Sequence, residues 1–79
     1  MDTDSLEQRK FLTEQLQWCK DQDRILEEIE AKLYEMKEKV EFALIYHLTP
    51  NEVARINRQL DVLKLEVQFL EKQLHTVLH

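Results

Sequence analysis

Apolar residues follow a heptad pattern through the second half of the chain. They recur at alternating steps of three and four residues, at Val53, Ile56, Leu60, Leu63, Val67, Leu70, Leu74 and Val77. This spacing is typical of an α-helix that packs along its length against another helix. A second apolar row, formed by Val62, Leu65 and Phe69, lies on the opposite side of the same predicted helix. One partner helix cannot cover both rows.

The segment before this pattern carries the signals that start a helix. Thr49 suits the N-cap, and Pro50 suits the first helical position, where its missing N–H costs nothing. Glu52 is spaced to complete a capping box with Thr49. Proline also disfavours helical geometry at the residue before it. The sequence therefore predicts a tight turn at residues 48–50 and a second helix over about residues 50–78.

The first part of the chain contains no helix breaker, because glycine is absent and Pro50 is the only proline. We predict a first helix over about residues 4–48, although Asp21 and Asp23 leave open whether it is continuous or kinked between them. Its second half repeats apolar residues at the same heptad spacing, at Leu26, Ile29, Leu33, Met36, Val40 and Ala43. Residues 1–79 are therefore expected to form a single all-α domain, an antiparallel two-helix hairpin of the coiled-coil type.

Three features predict apolar surface that such a hairpin leaves uncovered. At ~1.5 Å per residue the first helix overhangs the second by about fifteen residues, residues 40–48 are apolar on nearly every side, and the second helix has its extra apolar row. A homodimer that forms a four-helix bundle would cover all three. The predicted interface or partner-binding residues are Phe11, Leu12, Trp18, Phe42, Tyr46, Val62, Leu65 and Phe69.

Charge and composition exclude several classes of protein. The net charge is −5, and residues 1–48 hold twelve acidic against seven basic side chains. Such a chain repels phosphate backbones, so no nucleic-acid partner is expected. The longest uncharged run, residues 42–51, is too short to span a bilayer, so we expect a cytoplasmic protein without a membrane partner. Cys19 is the only cysteine and is expected to be a reduced core residue, with an intermolecular disulfide left open.

Few residues of the chain suggest a catalytic or metal-binding site. Glu71, His75 and His79 lie four residues apart on one helical face, which makes a terminal metal site an alternative to an ordinary polar face. Most carboxylates alternate with lysines along exposed faces, as Glu35 does with Lys39, and no acid–base pair stands out. We therefore expect no cofactor and no catalytic residue from these patterns.

One stretch of the chain resembles a known family. The turn Leu48-Thr49-Pro50 is followed by Asn57-Arg58-Gln59-Leu60-Asp61 and then Leu63. This arrangement is similar to the sporulation-regulatory aspartyl-phosphate phosphatases of spore-forming bacteria, whose second helix carries Ser-Gln-Glu-Leu-Asp after a Leu-Thr-Ser turn. The likeness covers about residues 25–63, and Leu60 and Asp61 match the signature in place. It implies a helical hairpin that docks a response regulator, with Asp61 as the candidate functional residue.

Two functions follow from these observations. The favoured one is a small non-enzymatic helical protein that self-associates and binds a protein partner, such as a regulatory protein. The alternative is a relative of the aspartyl-phosphate phosphatases that acts on a response regulator through Asp61.

Overall fold

A computed structural model describes residues 2–77 of the chain, with side chains described for residues 3–74. Over residues 2–77 it consists of two α-helices and no strand, which confirms the all-helical prediction. Helix α1 spans Asp2–Ile45 and helix α2 spans Pro50–Val77. Helix α1 passes through Asp21 and Asp23 as one uninterrupted helix. It ends at Ile45 rather than near residue 48, and residues 46–49 reverse the direction of the chain.

The turn into α2 is held by a reciprocal capping box. The backbone N–H of Glu52 donates to Thr49 Oγ1 over 3.3 Å, and the backbone N–H of Thr49 donates to Glu52 Oε1 over 3.3 Å. The Thr49 hydroxyl also donates to Glu52 Oε1, at 2.9 Å. These bonds satisfy backbone donors that have no partner within the helix. The capping box predicted from Thr49 and Glu52 is confirmed.

Two polar contacts between the helices define their direction and register. Lys32 of α1 forms an ion pair with Glu66 of α2, and Lys39 Nζ donates to Gln59 Oε1 over 3.2 Å. A step toward the N-terminus of α1 is thus matched by an equal step toward the C-terminus of α2, so the helices lie antiparallel. On this register, Val77 lies level with Asp21.

The greater length of α1 leaves its first part beyond the end of α2. We call this part, residues 2–20, the N-terminal extension. It makes the molecule long and thin, with extents of 72 × 19 × 12 Å and a radius of gyration of 20.1 Å. A compact domain of this length would have a radius of gyration of about 12 Å. Most of the surface of the hairpin is therefore open to solvent or to other chains.

The core is small and lies in the half of the hairpin away from the turn. Ile25 and Ile29 of α1 pack with Val67 and Leu70 of α2, and each of these four side chains is at most 8% exposed. Leu74 packs against this cluster and is partly buried. Leu63 is also buried, as the heptad pattern of α2 predicted. Among the described residues, no large side chain is fully enclosed.

The side of α1 that faces α2 differs from the prediction. We call the residues on this side of α1 the α2-facing line. They recur at the expected steps of three and four residues: Gln22, Ile25, Ile29, Lys32, Met36, Lys39 and Ala43. The predicted positions Leu26, Leu33 and Val40 are instead 44–49% exposed. Lys32 and Lys39 take the inward positions because each head finds a polar partner on α2 while its methylene stem covers apolar surface. The predictions for Ile29, Met36 and Ala43 are confirmed.

Two further expectations about buried residues need correction. Cys19 was expected in the core, but it is exposed. One residue of an α-helix corresponds to a rotation of about 100°, so Cys19 points away from the line that Gln22 and Ile25 continue. On α2, Val53 is 42% exposed although the heptad pattern placed it in the interface. The side chain of Val77 lies outside the described residues.

Candidate protein-interaction site

An apolar row runs along the side of α1 next to the α2-facing line. We call it the lateral row, and its members recur every seven residues: Leu12, Cys19, Leu26, Leu33 and Val40. All five are exposed. Leu16 lies on the same side between Leu12 and Cys19, and Leu44, which is 81% exposed, extends the row toward the turn. A row with this period is straight along a supercoiled helix, so a second helix can contact all of it at once.

Near the turn, the lateral row merges with apolar residues of α2. Val40 and Leu44 line a shallow groove of about 200 Å³ between the two helices. The remaining lining residues are Ala43, Val53, Ile56, Asn57 and Leu60. Asn57 is the only polar side chain of the groove. This end of the hairpin therefore offers a continuous apolar surface that involves both helices.

The predicted second row on α2 is exposed. Val62, Leu65 and Phe69 are 54%, 65% and 62% exposed, respectively. Leu65 and Phe69 also line a groove of about 430 Å³ that contains the ion pair between Lys32 and Glu66. This surface differs from the lateral row because its apolar side chains lie beside charged ones.

The charge of Lys32 is stabilised at this groove. The hydrogen bond with Glu66 raises the pKa of Lys32 above its usual value of 10.5, although partial burial opposes the rise. The nearby carboxylates of Glu66, Glu35 and Glu28 add to the increase. Lys32 is therefore a permanent cation of this groove at neutral pH.

Phe42 and Tyr46 form an aromatic pair beside the turn. Their ring centroids lie 4.5 Å apart with the ring planes tilted by 37°. Both rings stay about half exposed, at 47% and 56%. Phe42 also lines a groove of about 430 Å³ with Glu38, Lys39, Glu52, Arg55, Ile56 and Gln59. Rigid aromatic groups that are partly exposed are frequent anchors in protein interfaces.

Most of the N-terminal extension is exposed on all sides. Every side chain from residue 3 to residue 17 is exposed. Phe11 is 59% and Leu12 is 65% exposed, and both line a shallow surface groove with Asp4, Glu7 and Gln8. Trp18 is half-buried where the extension joins the hairpin.

The structure thus distributes the predicted interface residues over separate surfaces. Phe11 and Leu12 lie on the N-terminal extension, and Trp18 lies at its junction with the hairpin. The aromatic pair lies at the turn, and the α2 row lies on another side. Sequence reasoning missed the lateral row, because two heptad rows run one residue apart in α1, as in Ile25 and Leu26. Periodicity alone does not tell which row faces α2.

The structure also gives the positions of residues in the two alternative interpretations, the phosphatase and the terminal metal site. Asp61 is exposed on α2 and makes no hydrogen bond or ion pair within the described residues. Glu71 is exposed, whereas the side chains of His75 and His79 lie outside the described residues. Within the described part of the chain, no three histidine, cysteine or carboxylate side chains form a group that could hold a metal ion.

Neither described helix is long and apolar enough to cross a membrane.

Comparisons with known proteins find no relative. No protein-family model matches the chain, and no curated protein or solved structure matches it either. The resemblance to aspartyl-phosphate phosphatases in residues 25–63 therefore stays a prediction.

Proposed function

We propose that this chain is a small helical interaction protein that self-associates and binds a protein partner through its exposed apolar rows. The observation that supports this function is an imbalance between core and surface. Among the described residues, five hydrophobic side chains are buried, whereas sixteen large hydrophobic ones are at least 42% exposed. Complete burial of one such side chain contributes about 1.5–3 kcal/mol. Further association with apolar surfaces is therefore favourable.

The lateral row is the surface that we assign to self-association. Its seven-residue period suits a second long helix, and the groove near Val40 and Leu44 adds apolar area from α2. Two hairpins that pack through this side form a four-helix bundle. The α2 row around Leu65 and Phe69 lies elsewhere on the hairpin and would remain accessible to a partner protein. Anchors of this kind suffice to bind a helix or a groove of a partner.

Light scattering over a concentration series tests the self-association. We expect a mass of twice 9.6 kDa for the wild-type chain. The variant Leu33→Asp places a charge in the middle of the lateral row and should reduce the mass to that of one chain. The matched control Ala31→Asp adds the same charge to an exposed position on the far side of α1 and should leave the mass unchanged. A wild-type chain that is monomeric at every concentration would contradict self-association.

Binding of a partner is tested at the anchors. Trp18→Ala and Phe69→Ala should weaken capture of the partner without changing the helical content of the protein, because truncation of aromatic anchors removes contact area. Unchanged oligomer mass together with unchanged partner capture would remove these two residues from the site.

The alternative function, an aspartyl-phosphate phosphatase, is supported by the placement of Asp61. Its carboxylate is exposed, so a docked response regulator could reach it. The test measures loss of aspartyl phosphate from a panel of purified response regulators with the wild-type chain and with Asp61→Asn. Acceleration that disappears in Asp61→Asn would favour catalysis, and no acceleration would leave binding as the function.

A further inference from the structure

A second row of α1 runs beside the lateral row, on the side away from α2. Each member follows a member of the lateral row by four residues, and we call this set the outer row: Leu16, Asp23, Glu30, Lys37 and Leu44. All five side chains are exposed. Together, the lateral and outer rows recur at alternating steps of four and three residues, which is the spacing of a coiled-coil seam. A helix that packs on the lateral row therefore also contacts the outer row.

The outer row is apolar at both ends and charged in the middle. Its two terminal leucines are 57% and 81% exposed. Asp23 and Glu30 make no ion pair among the described residues. Lys37 forms an ion pair with Glu41 of the same helix, over 3.8 Å between Nζ and Oε1, and both side chains are more than half exposed. Such a pair contributes little, so the charges of the outer row are available to a second helix.

The order of residues in the outer row matches its own reverse. When two copies of α1 lie antiparallel with their Glu30 residues level, Leu16 of each copy lies level with Leu44 of the other. Asp23 then lies level with Lys37 of the other copy, because each is seven residues from Glu30. Apolar ends thus meet apolar ends, and two symmetric contacts join opposite charges. Glu30 against its own copy is the one like-charge contact that this alignment creates in the outer row.

Other arrangements of the same surface are less favourable. In a parallel pair, each of the three charged residues of the outer row opposes its own copy, and like charges in contact across an interface are destabilising. An antiparallel pair shifted by one heptad in one direction places Asp23 level with Glu30. A shift in the other direction places Asp23 level with Leu44 and leaves Leu16 beyond the end of α1 of the other copy. Charge and apolar contacts therefore agree in the unshifted antiparallel alignment.

The same alignment gives the N-terminal extension a surface to cover. Leu44 of the other copy lines the groove of about 200 Å³ beside its turn, which we call the turn groove. Leu16 lies level with this residue, and Leu12, which is 65% exposed, follows one helical turn further along. Val53 of α2 also lines the turn groove and is 42% exposed in the single chain. The part of α1 that overhangs its own α2 is thus placed to cover the turn end of a second hairpin.

We infer that two copies of this chain associate with their α1 helices antiparallel, with Asp23 of each copy beside Lys37 of the other and the N-terminal extension of each over the turn groove of the other. This inference rests on the proposed function and specifies the orientation and register of the self-association. The apolar side chains supply most of the affinity. The charged middle of the outer row sets the direction, because matched opposite charges determine how helices pair.

Charge reversal tests the contact between Asp23 and Lys37. Asp23→Lys and Lys37→Asp should each raise the dissociation constant of the dimer about tenfold at low salt, because each replaces two attractions by two repulsions. Asp23→Lys combined with Lys37→Asp should restore the affinity of the wild type. In a parallel dimer, none of these changes would alter the number of like-charge contacts. Sedimentation equilibrium measures the dissociation constants, and the differences should shrink at high salt.

Glu14→Lys and Lys10→Asp are the matched controls. They make the same charge reversals at exposed positions of α1 that belong to neither row, and they should leave the dissociation constant unchanged. Effects equal to those of the outer-row variants would mean that net charge alone controls the association, and they would overturn the proposed register.

Cross-linking determines the orientation directly. Two single-cysteine chains are prepared in a Cys19→Ala background, one with Asp23→Cys and the other with Lys37→Cys. A short bis-maleimide should link the two variants to each other when they are mixed. It should not link two copies of the same variant, because the antiparallel alignment separates their cysteines by about 21 Å along the helix axis at ~1.5 Å per residue. A parallel dimer would give the reverse pattern.

Each contrary result has a distinct meaning. Links between two copies of the same variant, or a combined charge reversal that does not restore affinity, would overturn the antiparallel register while self-association stands. A dimer that Leu33→Asp does not dissociate would place the interface away from the lateral row and would also overturn the inference. A wild-type chain that is monomeric at every concentration would contradict the proposed self-association itself.

Discussion

Lys32 of α1 and Glu66 of α2 form an ion pair at a position where a coiled coil usually holds an apolar side chain. The pair is partly exposed, with 30% of the Lys32 side chain and 43% of the Glu66 side chain accessible. One heptad along, Lys39 donates to Gln59 at the equivalent position. These two polar contacts share one register, so a shift of one helix along the other would break both. They specify the alignment of the hairpin more than they stabilise it.

The pair predicts a loss of stability at alkaline pH. The folded state raises the pKa of Lys32 above 10.5. The stabilisation of the fold by the ion pair is therefore complete below about pH 10.5 and is lost as the pH rises through the folded-state pKa. The unfolding temperature of the wild type should therefore fall toward that of Lys32→Gln as the pH rises from about 9, where the stabilisation is complete, to values above about 10.5, where it is lost. Lys20→Gln, at an exposed position of the extension, serves as the control. An unchanged difference between wild type and Lys32→Gln across this range would contradict the prediction.

The small core predicts a large effect of a single truncation. Leu70 is 6% exposed and packs in one cluster with Ile25 and Ile29 of α1. Leu70→Ala should lower the free energy of unfolding by about 2–5 kcal/mol, which is much of the stability that a chain of this size has. Leu6→Ala is the matched control, because Leu6 is 62% exposed and should change stability by less than about 0.5 kcal/mol. Circular dichroism during urea unfolding measures both, and similar midpoints would argue against the described core.

The capping box predicts a cost at the start of α2. Thr49→Ala removes the acceptor of the Glu52 N–H and should lower the free energy of unfolding by about 1 kcal/mol. Thr13→Ala is a suitable control, since the Thr13 hydroxyl donates to the Arg9 carbonyl within an exposed part of α1. It should be nearly neutral or slightly stabilising, because alanine has the higher helix propensity. Equal effects of the two substitutions would mean that the cap contributes nothing specific.

The lateral row predicts that association protects a thiol. Cys19 is exposed in the single chain and lies within the row that we assign to self-association. Its rate of alkylation by a maleimide should be that of an accessible thiol at low protein concentration and should fall several-fold as the protein associates. Leu33→Asp should restore the fast rate at high concentration. A rate that is independent of concentration, in a protein shown to dimerise, would place the dimer interface elsewhere.

The sequence by itself determined the two helices and the start of the second one. The capping box needs only Thr49, Pro50 and Glu52, which are neighbours along the chain, and the structure shows the predicted hydrogen bonds. The interface of α2 was largely readable, because Leu63, Val67 and Leu70 belong to an uninterrupted heptad row of apolar residues, whereas the second apolar row on α2 is much shorter. Local spacing decides such features, since every group involved lies within a few residues of the next.

Only the tertiary structure decided which side of α1 faces α2. Two candidate rows lie one residue apart, and the more apolar one, with Leu26, Leu33 and Val40, stays at the surface. The row that faces α2 includes Lys32 and Lys39. Their polar partners, Glu66 and Gln59, lie 34 and 20 positions away along the chain, respectively. The periodicity of apolar residues does not reveal such partners. A lysine with a buried stem and a paired head stabilises the interface only when the two helices are packed together.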